Sequence, residues 1–142
     1  MKTKRHYTVP AFFGLLLTLF LFSGCSQTAA SPSDSKSGSY QQISSKEAAA
    51  MMEEEEDYLI LDVRTPEEYE EAHIPEAVNV PNETIGTEEI PELPDKEQLI
   101  FVYCRSGNRS KQASQKLADL GYTNIIEFGG INDWSGDTVT GR

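Results

Sequence analysis

The fold is decided by one stretch of the chain, Leu99-Ile100-Phe101-Val102-Tyr103-Cys104-Arg105-Ser106-Gly107-Asn108-Arg109-Ser110. Its first five residues are apolar or aromatic and predict a strand buried at the centre of a sheet. Residues 107–120 then follow a helical pattern, which ends at Gly121, a residue type that often follows the last turn of a helix. A buried strand that leads through a short polar loop into a helix indicates an α/β fold.

Strands and helices also alternate on both sides of this stretch. A helix is predicted over 46–55, where Ser44-x-x-Glu47 forms a capping box, and a second helix follows the capping box Thr65-Pro66-x-Glu68. The remaining segments are strands at 57–63, 77–80 and 124–128, a short edge strand at 40–43, and a long loop at 81–94. The pattern predicts a three-layer α/β domain, whose central, largely parallel sheet is covered by helices on both faces.

The composition limits the functions that the chain can have. It has 142 residues, with 12 Lys and Arg against 23 Asp and Glu, and a formal net charge of −11. One domain is expected, and the negative charge excludes nonspecific binding to nucleic acid or to an anionic membrane surface. Two cysteines cannot form a disulfide scaffold or a four-ligand zinc site. We therefore expect neither a metal nor a cofactor.

The first residues have the layout of a signal peptide. Residues 1–24 contain three basic residues and no acidic residue, and the apolar run 11–22 is shorter than the roughly 20 residues of a membrane-spanning helix. The segment Phe22-Ser23-Gly24-Cys25-Ser26 that follows resembles the lipobox of bacterial lipoproteins. The resemblance implies cleavage before Cys25 and lipidation of its thiol. An ordinary secretory signal, with Cys25 free or paired with Cys104, is the alternative.

Cleavage before Cys25 divides the chain into three parts. They are a signal peptide at 1–24, a flexible tether at 25–39 without large apolar residues, and a globular domain at 40–142. Loss of Lys2, Lys4 and Arg5 would change the formal net charge from −11 to −14. We expect an extracytoplasmic monomer that is anchored to a bacterial membrane through its lipid.

Cys104 is the candidate nucleophile. It lies where the buried strand ends, and ligands bind at this edge of open α/β sheets. The backbone N–H groups of the loop, the positive end of the following helix, and the charges of Arg105 and Arg109 all favour a thiolate. Gly107 lets the loop turn with a positive φ. Such surroundings can lower a thiol pKa from about 8.5 to about 3.5–7.5. The alternative interpretation is that Cys104 is a buried, inert thiol that only packs in the core.

Three segments resemble the single-domain rhodaneses, the thiosulfate sulfurtransferase-like family. The first comprises Leu61-Asp62-Val63-Arg64 with residues 67–69 and 73–80, the second is the loop 104–110, and the third is Phe128-Gly129-Gly130-Ile131-Asn132-Asp133-Trp134. Together they cover essentially all of 40–134. The chain departs from the family at Ala72 and Glu76, where glycine is frequent and affects the geometry of turns.

The resemblance implies a rhodanese-like domain in which Cys104 accepts a sulfane sulfur, forms a persulfide, and passes the sulfur to a nucleophile. The donor would be a small sulfur-containing anion, such as thiosulfate, or a persulfide, and the acceptor would be a thiol or a cyanide-like nucleophile. The implied substrate-binding residues are those of the loop: Arg105, Ser106, Gly107, Asn108 and Arg109. Asp62, Arg64 and His73 would form a polar brace between the end of a strand and the neighbouring loop.

Two other functions stay open. Cysteine-loop phosphatases and arsenate reductases have five residues between their cysteine and arginine, whereas four separate Cys104 from Arg109. The tighter ring of N–H groups favours a sulfur atom over a tetrahedral oxyanion. A noncatalytic sulfur carrier or sensor domain would have the same residues as a transferase.

The charges are unevenly distributed along the chain. Residues 53–97 contain 17 of the 23 acidic residues, whereas residues 98–118 contain none and carry Arg105, Arg109, Lys111 and Lys116. Because exposed charges are screened beyond about 8 Å at physiological salt, the local cations should dominate around Cys104. An anionic substrate is therefore compatible with the acidic chain.

Overall fold

The computed structural model describes residues 38–86 and 90–141. The predicted signal peptide, Cys25 and most of the predicted tether lie outside these residues. Within the described ranges, no helix is both long enough and apolar enough to cross a membrane.

Five parallel strands form one sheet, as the sequence predicts. They are β1 (Gln41–Gln42), β2 (Tyr58–Asp62), β3 (Val78–Asn79), β4 (Leu99–Cys104) and β5 (Asn124–Gly130), arranged in the order β1-β5-β4-β2-β3. The central strand β4 is buried from Ile100 to Cys104. Its apolar sequence therefore identified the core of the sheet correctly.

Within the described residues, three α-helices connect the strands: α1 (Ser45–Glu54), α2 (Pro66–Glu71) and α3 (Asn108–Asp119). Both predicted capping boxes are present, because Ser44 caps α1 together with Glu47, and Thr65 caps α2 together with Glu68. The helix α3 begins directly after Gly107 and is followed by Gly121, whose φ is 93°.

Side chains alternate between the two faces of the sheet and produce the predicted three layers. One face packs against α3 and the 81–94 loop, through a cluster that includes Val102, Cys104, Ala113 and Leu117. The other face packs against α1 and α2, through a cluster that includes Ala48, Phe101, Tyr103 and Phe128. Cys104 therefore lies on the α3 side of the sheet.

The structure adds two features that the sequence pattern did not predict. A short 3-10 helix, Ile131–Asp133, follows β5 directly. Val139 also forms an isolated antiparallel bridge with His73, so the last described residues are attached to the segment that follows α2. This pairing joins residues far apart in the sequence, and neither partner lies in a periodic apolar run.

Candidate functional site

Cys104 is the last residue of β4 and is 1% exposed. Val102 pairs with Glu127 of β5, but the register then shifts, so that Cys104 pairs with Gly130. The shift places one extra residue on β5, an irregularity that is common beside functional sites. It sets Gly130 beside Cys104, where the loop that enters α3 begins.

Hydrogen bonds hold the sulfur of Cys104 at the start of α3. The Gly107 N–H donates to Sγ at 3.1 Å, and Sγ lies 3.5 Å from the Ser110 Oγ. Burial raises the pKa of the Cys104 thiol. Hydrogen bonds from the Ser110 hydroxyl and from the N–H groups of Ser110, Ser106 and Gly107 outweigh burial and hold that pKa below its ordinary value. The surroundings thus favour the reactive thiolate.

Two glycines allow the loop to adopt this shape. Gly107 has a φ of 100°, as its position in the sequence predicts. Gly130 provides space, because a Cβ atom there would lie 2.2 Å from the Arg105 carbonyl oxygen. The same oxygen accepts a hydrogen bond from the Asn132 N–H at 3.3 Å. The glycines of the third sequence motif therefore support the loop that contains the cysteine.

The two arginines of the loop have different surroundings. Arg109 forms a bidentate pair with Glu68 of α2, at 2.6 and 2.9 Å, and this pair lowers the pKa of Glu68 to about 2. Arg105 is exposed, as are Ser106 and Asn108, and its side chain forms no salt bridge within the described residues. Of the two guanidinium groups, that of Arg105 is the one available to an incoming anion.

Asp62 and Arg64 form the polar brace that the resemblance implies. Their buried side chains are 2.6 Å apart, and Arg64 also donates to the carbonyl of Ala72, so the end of β2 is tied to the segment that follows α2. His73 is 6% exposed, stacks on Tyr69, and places Nδ1 2.8 Å from the Tyr69 carbonyl oxygen. These contacts make His73 part of the support of that segment.

Sequence reasoning missed two buried residues beside Cys104. Ser110 is 0% exposed, and its hydroxyl lies 2.6 Å from Oε1 of Glu127, a β5 residue that is 2% exposed. The sequence did contain a sign that Glu127 is unusual, because it is the single acid within the apolar run Ile125-Ile126-Glu127-Phe128 of a predicted buried strand. Within the part of the chain that the structure describes, no three acidic, histidine or cysteine side chains are grouped so as to hold a metal ion.

Comparison with known proteins places this geometry in a family. Residues 44–137 match the sequence model of the Rhodanese-like domain. The chain is 36% identical over 81 residues to thiosulfate sulfurtransferase PspE of Escherichia coli (strain K12), an alignment that covers 57% of this chain and 78% of PspE. A solved structure of a rhodanese with anions from E. coli has a TM-score of 0.51 at 36% identity, and covers 59% of this chain and 99% of that chain.

A larger relative matches through part of its length only. The adenylyltransferase and sulfurtransferase uba4 of Ogataea parapolymorpha is 36% identical over 77 residues, which cover 54% of this chain. The chain spans 20% of the length of that relative. The similarity is therefore confined to one segment of uba4.

Proposed function

The chain belongs to the rhodanese-like domain family, and from that premise we propose that it is a sulfurtransferase whose Cys104 carries the transferred sulfur as a persulfide. The observation that carries this proposal is the position of the Cys104 sulfur, which the Gly107 N–H and Ser110 contact at the start of α3. Its lowered pKa increases the fraction of the thiol present as the nucleophilic thiolate.

The reaction has two halves. The Cys104 thiolate attacks the outer sulfur of thiosulfate, a bond forms between the two sulfurs, and sulfite leaves with the electron pair of the broken S–S bond. The product is a Cys104 persulfide anion, for which the loop N–H groups are suitable donors. A cyanide ion or a thiolate then attacks the terminal sulfur, and Cys104 leaves as the thiolate.

The charges around the loop favour an anionic donor. Arg105 is exposed, whereas Glu68 occupies the guanidinium group of Arg109, so Arg105 is the side chain that we propose as the first contact of thiosulfate. The acidic residues concentrated in 53–97 lie outside the loop in the sequence, and salt screens exposed charges at a distance.

Mass spectrometry of the isolated domain tests this proposal directly. After incubation with thiosulfate, polysulfide or glutathione persulfide, we expect the mass to increase by one sulfur on Cys104, and added cyanide to remove it as thiocyanate. The Cys104→Ser variant should show neither change. Sulfur loading without release to any acceptor would favour the carrier role, whereas an unmodified wild-type protein would contradict both sulfur-based functions.

The same preparation separates the phosphatase alternative. Because the loop has four residues between Cys104 and Arg109, we expect no turnover of an aryl phosphate or of arsenate. Turnover of either compound, together with no formation of thiocyanate, would overturn the sulfurtransferase proposal.

We also propose that the protein is a monomeric extracytoplasmic lipoprotein attached to a bacterial membrane through Cys25. The lipobox-like segment 22–26 supports the anchor, and two or three acyl chains on one residue would hold it firmly. A monomer is supported by the small apolar surface, because Leu120 and Val139 are the large hydrophobic residues exposed in the described part of the chain.

Labelling with a radioactive fatty acid tests the anchor. In a bacterial host we expect the full-length chain to incorporate the label and to sediment with membranes. The Cys25→Ser variant should lose both properties. An unlabelled wild-type chain that is released into the soluble fraction would instead indicate an ordinary secretory signal.

A further inference from the structure

Glu127 is a buried acid that the sulfurtransferase reaction described above does not use. It lies on β5, is 2% exposed, and forms no salt bridge within the described residues. A buried carboxylate without a cation has a high free energy unless hydrogen bonds replace its hydration. Its position opposite Val102, close to the end of β4, brings it near Cys104.

Three donors contact the carboxylate of Glu127. The Gly129 N–H donates to Oε1 at 2.9 Å, and the Gln42 amide donates to Oε2 at 3.0 Å. The Ser110 hydroxyl lies 2.6 Å from Oε1 and, on its other side, 3.5 Å from the Cys104 sulfur. Cys104, Ser110 and Glu127 therefore form a continuous hydrogen-bonded chain.

We propose that the Glu127 carboxylate competes with Cys104 for the Ser110 hydroxyl, and thereby raises the pH at which the Cys104 thiolate forms. The proposal rests on the proposed function only in taking Cys104 as the sulfur acceptor. Because Glu127 acts through Ser110 and not on the sulfur itself, it is a positioning residue.

The Ser110 hydroxyl explains the coupling. It has one proton, and the carbonyl oxygens of Gly107 and Gly129 also lie 3.0 and 3.2 Å from it. While the hydroxyl donates to Glu127 over the shorter distance of 2.6 Å, it cannot donate to a Cys104 thiolate. Loss of that donor, together with repulsion between two negative groups, opposes formation of the thiolate.

The same competition affects sulfur uptake. The thiolate is the form of Cys104 that attacks the outer sulfur of thiosulfate, so the pH at which it forms also determines the pH at which sulfur uptake begins. Glu127 lines a cleft of about 400 Å³ beside this chain of hydrogen bonds.

The other charged groups around the chain are more exposed. Glu47 of α1 and Lys111 of α3 line the same cleft, and both are exposed. Arg109 interacts with the charge of Cys104, but Glu68 of α2 pairs with it. Arg105 is exposed on the loop, and the β1 group that contacts Glu127 is the neutral amide of Gln42. Since solvent screens exposed charges, the coupling between the two buried groups should dominate.

A pH titration of the thiolate tests the coupling without any sulfur transfer. The ultraviolet absorbance of the thiolate, with Cys104→Ser as the blank, gives the midpoint for each variant. For Glu127→Gln we expect the midpoint to fall by about one pH unit, which means about tenfold more thiolate below the midpoint. The rising limb of the pH–rate profile for persulfide formation should shift equally. The matched control Glu47→Gln removes an exposed acid from the same cleft and should shift neither.

Two further variants keep the test decisive if Glu127→Gln folds poorly. Gln42→Ala changes an exposed residue of the edge strand and removes the donor to Oε2, so the Glu127 carboxylate depends more on the Ser110 hydroxyl and the Cys104 midpoint should rise. Circular dichroism confirms the fold of each variant. In a Ser110→Ala background, the Glu127→Gln shift should be much smaller than in the wild type.

The outcomes separate this inference from the proposed function. Titration curves that coincide for wild type, Glu127→Gln and Gln42→Ala, or an undiminished shift in the Ser110→Ala background, would overturn the inference even if Cys104 accepts sulfur. Shifted curves in a protein that never gains sulfur would overturn the proposed function, while the coupling would stand.

Discussion

At the scale of single residues, Glu76 has a backbone conformation that suits glycine better. Its φ is 65°, and it is the one non-glycine residue with a positive φ in the described part of the chain. The Ala77 N–H donates to the Ile74 carbonyl, so Pro75 and Glu76 are the central residues of a turn, in the pattern of a type II turn. A side chain in this region costs about 1–2 kcal/mol. Ala72, the other departure from the family, has an extended φ of −168° that any residue adopts.

We predict that Glu76→Gly stabilises the protein. Relief of the left-handed strain should exceed the entropy that glycine adds to the unfolded chain, giving a net gain of about 0.5–1 kcal/mol in the free energy of unfolding. Denaturant titration measures this change. Glu76→Ala is the control, because it removes the exposed carboxylate but keeps the Cβ atom, and it should give no such gain. Equal stabilisation by both substitutions would show that the charge, and not the backbone, is responsible.

At the scale of elements, the end of β5 supports the loop between β4 and α3. We predict that Gly130→Ala displaces this loop, because its new Cβ atom would lie 2.2 Å from the backbone oxygen of Arg105. Sγ should then lose the Gly107 N–H, so the thiolate titration should move to higher pH and persulfide formation should slow by roughly tenfold or more.

Gly86→Ala is the matched control for this prediction. Gly86 has a φ of 91°, and a Cβ atom there would meet nothing within 4 Å, so the substitution strains the backbone without contacting the Cys104 loop. It should lower stability by about 1–2 kcal/mol and leave the thiolate titration nearly unchanged. A similar rate of persulfide formation in the two variants would contradict the role assigned to Gly130.

The elements also show how far the sequence predicts the structure. Both capping boxes and the strand β4 were predicted because their signals lie within a few consecutive residues. The His73–Val139 bridge and the contact between Ser110 and Glu127 were not predicted, because each joins residues that are distant in the sequence and meet only in the folded chain. In the loop itself, the positive φ of Gly107 was predicted, whereas the pairing of Arg109 with Glu68 depends on where α2 lies.

At the scale of the whole molecule, one ion pair joins two layers of the acidic domain. Arg109 lies in the first turn of α3 and Glu68 lies in α2, so their bidentate contact connects elements that pack on opposite faces of the sheet. The segment 53–97 contains 17 acidic residues but only two Lys or Arg residues, Arg64 and Lys96, so most of its other acids have no basic residue to offset them. Protonating those acids relieves repulsion, whereas protonating Glu68 breaks a contact, so the two effects of acid oppose each other.

We predict that Glu68→Gln destabilises the protein at neutral pH but not near pH 2. The pKa of Glu68 is lowered to about 2 in the folded protein, so its contribution to stability is present above its unfolded pKa of about 4.5 and is lost as the pH falls toward 2. The side chains are 26% exposed, which limits the effect to about 1 kcal/mol or less. Glutamine still serves the capping box, so the substitution isolates the ion pair. Denaturant titrations across this pH range measure the difference, and added salt should reduce it.

Glu71→Gln is the control, because it makes the same charge change on α2 without touching the contact with Arg109. It should not reproduce the pH dependence of Glu68→Gln. Matching curves for the two variants would attribute the effect to net charge instead of the contact with Arg109.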